Sequence, residues 1–129
     1  MGGIAGHAGL FSTADDLATF AMMLLDGGTL HGVRVLSHES VAAMTQPASP
    51  PAGSRVRGLG WDLAEPMASV SDRDPSGPSY GHTGFTGTML WIDPASRSYV
   101  IVLSNRTYPD GRGDAQVLRK AILAHSLRR

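Results

Sequence analysis

Between Tyr80 and Ser104 three runs with strand character follow one another with almost nothing between them. No other stretch constrains the fold as much. The runs are Tyr80–Phe85, Thr88–Ile92 and Ser98–Ser104. Asp93-Pro94-Ala95-Ser96-Arg97 joins the last two with residues that favour a hairpin turn. Parallel neighbours need a crossover of roughly a dozen residues, so links this short demand antiparallel pairing. The third run is β-branched and nearly continuous, which predicts burial on both faces and a central place in the sheet. A further strand is expected at Gly58–Ala64.

Helices flank this strand block. Ser12 or Thr13 can cap a helix at about 13–26, with Asp15 and Asp16 in a first turn where the dipole favours negative charge. Leu17, Phe20, Ala21 and Leu24 repeat at the spacing of one buried face, and Gly27 and Gly28 end the helix. A second helix is expected at about 38–45, capped by Ser37, stapled by Leu36 and Val41, and stopped by Pro47. Asp114 caps a third at about 115–126, with Val117, Leu118, Ala121 and Ile122 as its apolar stripe and Arg128 and Arg129 beyond. Residues 46–57 and 65–78 read as irregular polar loops. The order predicts an α+β fold, an antiparallel sheet flanked by helices, formed by residues 1–129 as a single unit.

Composition narrows the function classes. Lys plus Arg and Asp plus Glu are both 11, so no basic surplus exists to draw in nucleic acid or an anionic membrane. The chain has no cysteine, which excludes disulfides, thiolate metal sites and a cysteine nucleophile. His7, His31, His38, His82 and His125 include no helical i, i+4 pair, so no metal is expected, and no cofactor either. The N-terminus lacks a basic region followed by an apolar one, and the stretch Leu17–Leu25 is shorter than a membrane span; the chain reads as soluble, with no signal peptide. Gly-x-Ser-x-Gly is missing, which sets aside the hydrolase elbow. Arg112-Gly113-Asp114 reads as a turn and helix cap rather than an adhesion tripeptide, and Trp61 and Trp91 as packing residues.

The segment that carries chemistry is Tyr80-Gly81-His82-Thr83-Gly84-Phe85-Thr86-Gly87-Thr88. Glycines inside strand material weaken a strand and are kept where a backbone or a ligand comes close. A glycine-rich strand-turn-strand without a ligand fits the spacing equally well. His82-Thr83-Gly84 resembles the third signature of the serine β-lactamase and penicillin-binding-protein superfamily, with histidine in first place as in class C-like esterases. Gly2–Leu17 resembles the segment entering a conserved helix of these enzymes. Gly81–Thr88 with Trp91-Ile92-Asp93-Pro94, and then Leu103-Ser104-Asn105-Arg106, resemble their third-motif strand, hairpin and following strand end.

The resemblance implies a partial β-lactamase/transpeptidase-like fold and an acyl-enzyme reaction on a small-molecule ester, amide, peptide or β-lactam substrate. It implies roles for four residues. His82 takes the basic position beside the nucleophile. Thr83 offers a hydroxyl to substrate. Gly84 permits close approach of the acyl group. The N–H of Phe85 is one of two oxyanion donors. The departure is as clear. Lys120 is the only lysine and Val117 stands three places before it, so Ser-x-x-Lys is missing; Tyr-x-Asn and Ser-x-Asn are missing too. The chain therefore reads as a C-terminal portion, inactive alone and completed by an N-terminal part that carries the nucleophile. The alternative is a non-catalytic binding module that keeps the sheet and the cleft wall.

Overall fold

The computed structural model describes residues 3, 5–48, 57–63 and 79–126. Helix α1 spans Ala14–Leu25, hairpin strands β1 and β2 span Thr29–Leu30 and Val33–Arg34, and α2 spans His38–Thr45. Strands β3 to β6 follow at Asp62–Leu63, Tyr80–Thr83, Met89–Asp93 and Ser98–Val102, and α3 spans Gln116–Ser126. The strands β3-β4-β5-β6 form one antiparallel sheet in that order. Of the expected elements, Ala64, the loop 65–78, most of 46–57 and Arg128 and Arg129 lie outside the described residues.

Local chemistry places the helix ends where the sequence predicts them. Thr13 caps α1, its hydroxyl accepting the Asp16 N–H at 3.1 Å, and Ser37 caps α2 by accepting from Ser40 N–H at 3.1 Å. At the far end of α1, Gly28 N–H reaches Met23 O at 2.8 Å and Gly27 N–H reaches Leu24 O at 3.1 Å. This paired cap needs left-handed backbone, and Gly27 has φ +62°. Asp93 organises the β5–β6 turn, taking the Ala95 N–H at 3.0 Å and the Ser96 hydroxyl at 2.6 Å. Arg97 then ties this turn to Asp26, at the end of α1, at 2.6 Å.

The sheet is covered on both faces. Ala21, Met23 and Leu24 of α1 join Val41, Trp61, Leu63, Tyr80 and Ile92 in one core. Tyr80 and Ile92 are register partners and share that face. Trp61 packs edge-on against Tyr80, with ring centroids 5.3 Å apart, and burial pushes the Tyr80 phenol pKa up, so it stays neutral. Met89, Trp91 and Val102 form the opposite core with Leu123 of α3. Both tryptophans pack inside, as the sequence predicts.

Four sequence expectations need correction. First, β6 is not central: it pairs only with β5 and ends the sheet among the described residues. Its apolar run reflects helices on both faces, α1 on one and α3 on the other, which hydrophobicity cannot distinguish from a central position. Second, of the strand expected at Gly58–Ala64 only Asp62–Leu63 is strand among the described residues, because Gly58 N–H turns back to Trp61 O at 2.9 Å and Gly60 has φ +85°. Third, the α3 stripe is rotated. Val117 and Leu118 are exposed at 71% and 46%, while Ala115, Arg119 and Leu123 are buried at i, i+4, i+8 spacing. Fourth, Phe20 is partly exposed, although its ring stacks on Trp61 with centroids 6.3 Å apart. The β1–β2 hairpin went unforeseen because its strands are two residues each.

The outer edge of β6 presents Ser98-Tyr99-Val100-Ile101-Val102 without a charged residue. Such an edge is a template for pairing. The 129-residue chain should associate in a concentration-dependent manner in sedimentation velocity. A monodisperse monomer that melts reversibly in two states would count against this.

Candidate functional site

The β4–β5 hairpin is closed by a tight turn. Gly84 N–H donates to Thr88 O at 2.8 Å, and Gly87 N–H donates to Gly84 O at 3.1 Å. Gly87 has φ +112°, and a side chain there would run into the hydroxyl of Ser104, so only glycine fits. Gly81 serves a different need: it lies under the ring of Trp91, its register partner, where a Cβ would collide with the ring and with Leu90 O. Ser104 keeps a buried hydroxyl oxygen with no hydrogen-bond partner among the described residues.

Thr83, Gly84 and Phe85 line a cavity of about 330 Å³, closed on its other side by Arg106, Asp114, Ala115, Gln116 and Arg119. Phe85 is 79% exposed, and its N–H has no hydrogen-bond partner among the described residues. His82 does not join this group. It is exposed on β4 opposite Leu90, whereas Thr83 lies opposite Met89. Successive strand residues face opposite sides, so His82 is on the α1 face and Thr83 on the α3 face. The structure thus brings three of the four candidate residues to one cavity and sets His82 on the far side of the strand.

Two arginines hold the turn. Arg106 sits just past β6. Its Nε donates to Phe85 O at 2.6 Å and its Nη1 to Gly113 O at 3.0 Å, and its guanidinium lies 4.5 Å from the centre of the Phe85 ring. Arg119 is 5% exposed and comes from α3. Its Nε donates to Gly87 O at 3.2 Å, and its Nη2 donates to Gly84 O at 2.5 Å and Thr88 O at 2.8 Å. Burial lowers the Arg119 pKa, nearby Arg106 lowers it further and Asp114 opposes both; an arginine so placed remains a cation. Asp114 accepts the Gln116 N–H at 2.8 Å, so the tripeptide Arg112-Gly113-Asp114 is a turn leading into a helix cap.

Sequence reasoning missed both arginines as parts of the site. Arg106 stood within a segment noted for resemblance, but its contact with Phe85 bridges 21 positions. Arg119 falls on the i, i+4 line between Ala115 and Leu123, and that spacing was the available signal. His7 sits at the tip of a two-residue turn closed by Ala5 and Ala8, and its side chain makes no hydrogen bond among the described residues. No three His, Asp or Glu side chains come together to hold a metal among the described residues. No described helix is long and apolar enough to cross a membrane.

Comparison with known proteins adds a second line of evidence. A family model described as Beta-lactamase matches residues 1–124. Proteins carrying the name D-alanyl-D-alanine carboxypeptidase from Salmonella typhi, Salmonella paratyphi B and Salmonella newport are each 36% identical to the chain over 110 residues. Those alignments cover 84% of the chain and 25% of each relative, so the chain spans about a quarter of the length of the curated relatives it matches.

Proposed function

The chain belongs to the β-lactamase family, and on that premise we propose that it is a C-terminal portion of a serine hydrolase of the acyl-enzyme type. It forms one wall of the reaction groove. A separate N-terminal part brings the nucleophilic serine and its lysine. The observation that carries this reading is the β4–β5 turn: Phe85 N–H has no hydrogen-bond partner among the described residues, on a segment that matches the family's third signature.

In this reading the serine oxygen attacks the substrate carbonyl, and the negative charge that develops on the carbonyl oxygen is met by Phe85 N–H and a second donor. The leaving amine or alcohol takes a proton, and water then hydrolyses the acyl-enzyme. Thr83 offers its hydroxyl to the substrate, and Gly84 leaves room for the acyl group. His82, exposed on the α1 face, supplies the basic position only if the nucleophile approaches from that face. The names of the Salmonella relatives favour a peptide ending in D-alanyl-D-alanine as substrate. The lack of Ser-x-x-Lys and Tyr-x-Asn favours a second reading, a non-catalytic module that uses the same cavity wall for binding.

A fluorescent penicillin or phosphonate should leave no stoichiometric adduct on the 129-residue chain, measured by intact-mass spectrometry. A stoichiometric adduct would place a nucleophile within it and overturn the division of labour. Reading the coding frame upstream of Met1 separates the two functions: a frame encoding Ser-x-x-Lys and Tyr-x-Asn supports the hydrolase, and a genuine stop with its own ribosome site supports the binding module.

A further inference from the structure

Two guanidinium groups converge on residues 84–88, and neither forms an ion pair among the described residues. A buried cation is costly unless hydrogen bonds satisfy it. Among the described residues Arg119 meets that condition through backbone carbonyls alone, those of Gly84, Gly87 and Thr88. Which carbonyls it holds is informative. Gly84 C=O and Phe85 N–H belong to the same peptide group. That group is a rigid trans plate, so its C=O and N–H point in opposite directions. Donors fixed on Gly84 O therefore set the direction of Phe85 N–H: Gly87 N–H reaches that oxygen at 3.1 Å within the turn, and Arg119 Nη2 adds the charged, longer-range hold at 2.5 Å. The following plate is held as well, because Arg106 Nε grips Phe85 O at 2.6 Å. Phe85 itself is 79% exposed at a loop tip, where packing alone would not define its orientation.

We propose that Arg119 is a positioning residue: from α3 it holds the Gly84 carbonyl and so aims the Phe85 N–H toward its ligand, with Arg106 locking the next peptide. The cation acts on the donor in a second way. A charge-assisted hydrogen bond to the C=O of a peptide polarises the whole group and strengthens its N–H as a donor. Lysine at 119 keeps the charge but loses the flat fork that serves three carbonyls. The role of the aimed N–H as an oxyanion donor rests on the hydrolase reading above; the aiming itself does not.

The test is nuclear magnetic resonance on the 129-residue chain, comparing the parent with Arg119→Gln and Arg119→Lys. The backbone order parameter of Phe85 should fall from a rigid value of about 0.85 to below about 0.6 in Arg119→Gln, with the α3 amides unchanged, and Arg119→Lys should recover part of the loss. In the parent, the Arg119 Nε–H should exchange with water far more slowly than that of exposed Arg112. This measurement needs no variant and holds even if Arg119→Gln does not fold. Unchanged order at Phe85 in both variants, or an Arg119 Nε–H as exchangeable as that of Arg112, overturns the proposal. Titration with methylphosphonate, a small tetrahedral anion, tests the hydrolase reading separately. If the parent's Phe85 amide signal does not move while its order still depends on Arg119, the positioning role stands and the oxyanion role falls. If the signal saturates equally in parent and variants with order unchanged, the oxyanion role stands and the positioning role falls.

Discussion

In the hydrolase proposed above, Phe85→Pro should lower turnover by about a hundred- to a thousand-fold, while Phe85→Ala leaves far more activity. Proline removes the N–H, and alanine removes only the ring. Loss of one oxyanion donor typically costs ~3 kcal/mol of transition-state stabilisation. The substitution is a clean probe because Phe85 N–H makes no hydrogen bond among the described residues, so the fold forfeits no ladder contact when it goes. The Cδ of a proline presses on the N–H and Cβ of the residue before it, and Gly84 has no Cβ to be pressed. The check is kcat for both variants, with the chain combined with a segment that carries Ser-x-x-Lys, alongside thermal melts of the chain alone. Equal losses for proline and alanine would assign the effect to the aromatic ring stacked on Arg106 and end the donor assignment.

Trp91→Ala should cost about 3–5 kcal/mol, the range for truncating a large buried aromatic. Single domains hold only about 5–15 kcal/mol in total, so most of the chain's stability would go. Trp91 is 3% exposed and sits between Met89, Val102 and Leu123, with its ring laid over Gly81. Gly81, against the ring, has no side chain to swing into the space. The cavity therefore persists and adds to the lost burial. Val117→Ala, at a position 71% exposed on the same half of the molecule, should stay within about 0.5 kcal/mol. Urea melts followed by circular dichroism measure both. A Trp91→Ala midpoint indistinguishable from that of Val117→Ala would mean that the second core, and the seating of α3 on it, is wrong.

Much of the fold was legible because short-range chemistry wrote it. Thr13, Ser37, Asp93 and Asp114 act through side-chain oxygens within two or three residues of themselves, and Gly27 through backbone geometry equally local. The candidate site was legible as a segment, Tyr80–Thr88, because its glycines at 81, 84 and 87 announce close approach. Its surroundings were not. Arg119 reaches residues 31 to 35 positions earlier, and no local pattern records such a partner. An arginine at a core-facing helix position reads as a flaw in an apolar stripe until the carbonyls that receive it are known.

What the sequence determined by itself is which surfaces must be covered: the strand runs, their antiparallel links, the helix ends, and an Ser98–Val102 segment apolar on both sides. Side chains carry that information, since period and polarity differ from residue to residue. Only the tertiary structure decided that β6 ends the sheet among the described residues, that His82 takes the α1 face and Thr83 the α3 face, and that two arginines frame the cavity beside Phe85. Those outcomes rest on backbone N–H and C=O groups, which every residue but proline presents alike, and so their pairing leaves no mark in the order of amino acids.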